Sequence, residues 1–225
     1  MDASVTKKPV VRGVIFDCDG VLVDTERLSN RILAEQITRA GHPMTTEESI
    51  RRYKGGRIRT LPPLIEAEFN LKLPDDWLDQ FFARQFAALE AETQAIPGVS
   101  DVVDQLIAKG TGFCVASQAS VAKMRITLGR SGLWDRVEGR IFSADMVERP
   151  KPFPDLFLHA ADTMGWPARQ VTVIEDSTTG VRAAVAAGMR VIGFCRDTNP
   201  DELRAAGASD LAQDMAGVSV LLGLL

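Results

Sequence analysis

Two aspartates one residue apart, Asp17 and Asp19, close an apolar run from Val10 to Phe16, and Gly20 follows at once. Carboxylates at that spacing can divide a reaction between them. Asp17 can attack phosphorus and leave an aspartyl-phosphate on the chain. Asp19 can protonate the departing oxygen and then deprotonate an incoming water. Read without chemistry, the same residues are a solvated turn, because Asp and Gly favour turns on their own account. The choice depends on what else the chain brings to that point.

Glu175 and Asp176 close a second apolar run, Val171 to Ile174. Carboxylates clustered beside a phosphate repel it unless a hard cation lies between them. Mg2+ takes oxygen ligands, one or two carboxylates plus substrate phosphate. Asp17 and Asp176 are the expected direct ligands, with Glu175 direct or through water; Glu-Asp ahead of Ser177 also suits a helix cap, and both can hold. Lys151 stands among Pro150, Pro152 and Pro154, whose rings restrict the backbone. An ammonium held there can pair with the nucleophile and with the charge of a transferring phosphoryl group; a surface lysine in a proline-rich loop is the plain alternative. Ser117 closes a third run, Phe113 to Ala116, and offers phosphate a hydroxyl and neighbouring N–H groups, or simply caps a helix.

The elements that must position these residues are legible as well. A fourth apolar run spans Arg190 to Cys195. Between the runs, Val99, Val102, Val103, Leu106 and Ile107 recur at helical spacing with Gly110 as a stop, and Ser177 can cap a helix over 178–187 that ends at Gly188. Strands alternating with helices predict a parallel sheet. Residues 24–93 break the alternation. Leu28, Ile32, Leu33 and Ile37 share one helical face, Thr45 and Glu48 form a capping box, and Leu78, Phe81, Phe82, Phe86 and Leu89 mark another helix. The expected fold is therefore α/β: a Rossmann-like, doubly wound parallel-sheet core from 1–23 and 94–225, with an all-helical domain inserted at 24–93.

The order of these motifs resembles the haloacid dehalogenase superfamily over nearly the whole chain. Phe16-Asp17-Cys18-Asp19-Gly20-Val21-Leu22-Val23-Asp24-Thr25-Glu26, Lys151-Pro152-Phe153-Pro154-Asp155 and Ile174-Glu175-Asp176-Ser177-Thr178-Thr179-Gly180 are similar to its β-phosphoglucomutase and phosphoglycolate phosphatase branch. The resemblance implies Mg2+-dependent phosphoryl transfer through Asp17. It makes the helical insertion a C1 cap that selects substrate, and it turns the Asp19 backbone carbonyl as well as its side chain toward the site, adding Asp19 to the metal set. Dehalogenases and phosphonatases of the superfamily lack the second aspartate, which this chain has. β-Phosphoglucomutases carry a histidine in the first cap helix where this chain has Ser29, and neither His42 nor His159 fills that slot. Water is then the expected acceptor, and a phosphatase of a small phosphorylated metabolite, a sugar phosphate or sugar-acid phosphate, the expected activity. A phosphomutase is the alternative. A non-catalytic phosphometabolite-binding protein is a further one, opposed by the presence of Asp17, Asp19, Ser117, Lys151 and Asp176 together. In the helical segment, Lys54, Arg57 and Arg59 flank Gly55-Gly56 and are candidates for substrate contact; a solvated face accounts for them equally well.

Bulk properties narrow the field. A net charge of −4 and a single tyrosine predict neither a nucleic-acid partner nor an anionic membrane. The apolar tail from Met215 to Leu225 falls short of the roughly 20 residues that span a bilayer. Three scattered cysteines, Cys18, Cys114 and Cys195, form no metal or redox spacing and suit a reducing, cytoplasmic setting. No long apolar surface stripe stands out, so a monomer is expected.

Overall fold

The computed structural model of the chain describes residues 11–53 and 58–225. Six strands form one all-parallel sheet: β1 (Gly13–Phe16), β2 (Gly112–Ser117), β3 (Ile141–Ser143), β4 (Val171–Glu175), β5 (Arg190–Phe194) and β6 (Asp210–Ala212), in the order β3-β2-β1-β4-β5-β6. The helices are α1 (Glu26–Arg39), α2 (Thr46–Tyr53), α3 (Pro62–Phe69), α4 (Trp77–Glu92), α5 (Val99–Ala108), α6 (Val121–Arg130), α7 (Trp134–Val137), α8 (Asp155–Thr163), α9 (Thr178–Ala186), α10 (Pro200–Ala206) and α11 (Met215–Leu222). The order reverses between β1 and β4, which opens a crevice at their carboxyl ends.

Side-chain alternation divides the core. Ile15, Cys114, Ala116, Val171, Val173 and Val191 share one face with Leu156, Phe157 and Ala160 of α8, Val181 and Ala184 of α9, and Leu203 of α10. α5 packs on β2, while α11 packs on α5, β5 and β6. At the amino ends of β1 and β2 the paired residues are Gly13 and Gly112. A Cβ on either would enter the ring of Trp166, so the missing side chains let the indole lie against the strands.

The described residues form two compact units. One holds the sheet, from residues up to Val21, Pro97–Val121 and Arg136–Leu225. The other holds Leu22–Ile96 together with Ala122–Asp135. Its core is Leu28, Ile32, Leu33 and Ile37 from α1, Ile65 from α3, and Trp77, Phe81, Ala88 and Leu89 from α4. The sequence put 122–135 with the sheet; it joins the helical unit because Ile126 packs on that core and Arg130 Nε donates to the Ala91 carbonyl at 3.2 Å. The expected face of α4 also needs correction. Phe86 is 37% exposed, and Trp77 and Gln85 are buried in its stead. On α5, Ile107 likewise lies outside the buried face. No helix among the described residues is long and apolar enough to cross a membrane.

Candidate active site

Strand register brings the site together. Phe16 lies opposite Val115 on β2 and Ile174 on β4, so the residues that follow leave the sheet side by side. The Asp17 N–H donates to the Ile174 carbonyl at 3.0 Å, carrying the ladder one step past the strand and fixing where its carboxylate starts. Asp17 and Glu175 continue the alternation of Ile15 and Val173, which places both on the face covered by α8 and α9.

Lys151 lies between them. Its Nζ donates to Asp17 Oδ1 at 2.6 Å, to Glu175 Oε1 at 2.7 Å and to the Ala116 carbonyl at 3.1 Å. Those acceptors use all three donors of the ammonium, and the ring of Phe157 lies 4.7 Å from it. All three side chains of this ion cluster are buried. Two carboxylates against one ammonium leave a negative excess, and the titrations follow. Burial pushes Asp17 up to about 7; Lys151 pulls against that, and the charge of Glu175 adds to it. Burial works against the charge of Lys151 as well, but Asp17 and Glu175 outweigh it and its pKa moves up.

Ser117 is buried at the end of β2. Its Oγ accepts from the Ala119 N–H at 3.1 Å, and Ser143 Oγ donates to the Ala119 carbonyl at 2.8 Å, so this loop is folded back over the strand ends. Gln118 Nε2 donates to the Lys151 carbonyl at 3.1 Å and ties this loop to the lysine loop. Asp176 lies against the loop of the two aspartates: Gly20 has φ +85°, and a Cβ there would overlap the Asp176 carboxylate. Glycine at 20 thus serves both the backbone turn and the approach of a second carboxylate.

Among the described residues no group of three or more His, Cys, Asp or Glu forms a ready-made metal cage. Asp17, three residues before Gly20, and Asp176, whose carboxylate lies where a Cβ on Gly20 would fall, offer hard carboxylate oxygens. They fit Mg2+. Glu175 is engaged at both oxygens: Oε1 accepts from Lys151, and Oε2 accepts from the N–H and the hydroxyl of Ser177, each at 2.9 Å. In this arrangement Glu175 anchors the lysine.

The remaining expected residues fall elsewhere. Arg59 is exposed, and its guanidinium lies over the Phe82 ring at 4.9 Å. Lys54 and Arg57 lie outside the described residues. Ser29 Oγ accepts from Gln85 Nε2 at 2.9 Å. Reading of the sequence missed Gln118 and Ser143 altogether. A serine at the end of a short strand was the only signal for Ser143, and Gln118 gave none.

Fold and site together define an α/β enzyme core with its acidic chemistry at the switch point of the sheet. Residues 14–194 match the haloacid dehalogenase-like hydrolase family, and the chain belongs to it. It is 28% identical over 188 residues to the 6-phosphogluconate phosphatase of Escherichia coli, covering 83% of this chain and 84% of that one. The phosphorylated carbohydrates phosphatase of Thermotoga maritima is 31% identical over 225 residues, covering 96% and 100%. A crystal structure of a family hydrolase from Deinococcus radiodurans, with bound phosphate and sodium, matches with a TM-score of 0.86 at 28% identity, over 97% of this chain and 99% of that one.

Proposed function

We propose that the protein is a Mg2+-dependent phosphatase of small phosphorylated metabolites, sugar phosphates or sugar-acid phosphates, working through an aspartyl-phosphate on Asp17. The observation that carries this reading is the buried Lys151 ammonium 2.6 Å from the Asp17 carboxylate at the carboxyl ends of the central strands. A carboxylate held there is oriented for in-line attack, and the ammonium beside it meets the charge on the transferring group. The family membership and the phosphatase names of the relatives support the substrate class.

In the first step a carboxylate oxygen of Asp17 bonds to phosphorus, the ester P–O bond breaks, and Asp19 gives its proton to the leaving alkoxide. In the second, Asp19 takes a proton from water, whose oxygen displaces Asp17 from phosphorus and releases inorganic phosphate. Ser117 and the folded-back loop after it supply donors to the phosphoryl oxygens. Asp17, Asp176 and the Asp19 carbonyl would hold the cation, with Glu175 direct or through water. When bound, it supplies the positive charge that ionises Asp17 near neutrality and shields the carboxylates from the incoming phosphate. The helical unit is assigned the choice of substrate, through Lys54, Arg57 and Arg59.

Ser29, engaged by Gln85, offers no imidazole to a sugar hydroxyl, which favours water over a sugar as acceptor. The test is phosphate release from p-nitrophenyl phosphate and from a panel of sugar and sugar-acid phosphates, with and without Mg2+. Release that needs Mg2+ and vanishes in Asp17→Asn is the expected outcome. Interconversion of sugar phosphates without net release would replace hydrolysis with mutase chemistry.

A further inference from the structure

We infer that Gly180 and Ser177, in and just before the first turn of α9, are positioning residues for Lys151, acting through Glu175. The inference rests on the phosphatase reading only for what the lysine serves.

Gly180 has no left-handed backbone to justify a glycine, since it is absent from the positive-φ positions. Helix propensity alone would favour alanine there by up to about 1 kcal/mol. Space explains the choice. A Cβ on Gly180 would overlap Glu175 Oε1, the same oxygen that accepts from Lys151. Ser177 secures the carboxylate from the other side, giving its N–H and its hydroxyl to Oε2 while its Oγ accepts from the Gly180 N–H at 3.1 Å. The helix start is therefore a seat for one carboxylate. Glu175, so seated, takes one of the three donors of Lys151, and the other two go to Asp17 and Ala116. With one arm released, the ammonium is free to rotate away from the nucleophile.

A misplacement of about 1 Å in a group beside the nucleophile costs up to about 100-fold in rate. Gly180→Ala is expected to lower kcat on p-nitrophenyl phosphate by about 10- to 100-fold while KM moves less than about threefold. In a Glu175→Ala background, which leaves the Lys151–Asp17 pair balanced, the added methyl meets no carboxylate. The double variant should then be no slower than Glu175→Ala. The 1H–15N resonance of the Lys151 ammonium reports the same event without turnover: it should shift or broaden in Gly180→Ala and stay in place in a surface variant at the amino ends of the strands such as Lys109→Ala. If Gly180→Ala does not fold, Ser177→Ala repeats the test and Ser177→Thr, which keeps the hydroxyl, should restore both readouts.

Undiminished kcat in Gly180→Ala, losses that multiply in the double variant, or a rate loss with an unmoved ammonium signal would each overturn the inference. A wild-type protein that releases no phosphate, yet whose ammonium signal still responds to Gly180→Ala, would remove the phosphatase reading and leave the positioning role standing.

Discussion

A single ammonium between two buried carboxylates makes the site's behaviour calculable in sign. Asp17 starts near 3.8 in the unfolded chain and lies at about 7 in the folded one. Between those values the native state holds a proton that the unfolded state has given up. Its contribution is therefore fully present below pH 3.8 and is lost as pH rises to about 7. Urea unfolding of metal-free protein in a chelating buffer should show this as a decline of a few kcal/mol across that window, and Asp17→Asn should flatten it. Lys151→Met removes the only cation of the cluster. It should destabilise the protein by about 3–5 kcal/mol at pH 8 and by less at pH 5, where Asp17 is protonated. Asp19→Ala tests the proton shuttle. A general acid contributes about 10²- to 10⁴-fold, and p-nitrophenolate leaves without one. The kcat loss should accordingly be larger on an alkyl phosphate than on p-nitrophenyl phosphate in side-by-side assays.

At the scale of elements, the sequence marked those whose ends are punctuated. Gly110 and Gly188 have positive φ one residue beyond the caps of α5 and α9, as their spacing predicts. Thr45 Oγ1 accepts from the Glu48 N–H at 3.1 Å, one half of the expected capping box. β3 and β6 were missed because each is only three residues long and lies at a sheet edge, where pairing with a neighbour defines the strand more than its own composition does. α4 shows the other failure. Its aromatics suggested the buried stripe, yet Gln85 lies inside because it reaches Ser29, and Phe86 turns outward. Side-chain hydrogen bonding across helices leaves no periodic trace. The site follows the same division. Chain order named Asp17, Lys151 and Asp176, which the structure joins as an ion pair at 2.6 Å and as a carboxylate against Gly20, whereas the hold on Glu175 depended on which atoms Ser177 offers. Gly13 and Gly112 give a prediction of this scale, because their importance lies in packing alone. Gly112→Ala should displace Trp166 and lower stability by about 1–3 kcal/mol in thermal unfolding, with kcat at 25 °C within twofold of wild type.

At the scale of the molecule, chemistry and selection are assigned to different units of one chain, and that division can be measured. Every residue given a part in bond making lies in the unit built on the sheet, while Lys54, Arg57 and Arg59 belong to the segment between Leu22 and Ile96. A small aryl phosphate presents the phosphoryl group and little else, so it draws on the first set. A sugar-acid phosphate adds a carboxylate and hydroxyls, which cationic side chains bind with charge-assisted hydrogen bonds. If those cations meet that second charge, Lys54→Ala and Arg57→Ala should raise KM for a sugar-acid phosphate about 10-fold or more, each hydrogen bond to a charged group being worth about 1.5–3 kcal/mol. The kinetics on p-nitrophenyl phosphate should stay within about twofold. Arg59→Ala separates two roles, because its guanidinium already rests on Phe82. A loss of about 0.5–1 kcal/mol of stability with unchanged KM would make it a packing residue, and a raised KM would place it with the other two. Equal losses on both substrates for Lys54→Ala and Arg57→Ala would mean that the helical segment serves the chemical step itself, and substrate choice would then have to lie in the loops at the strand ends.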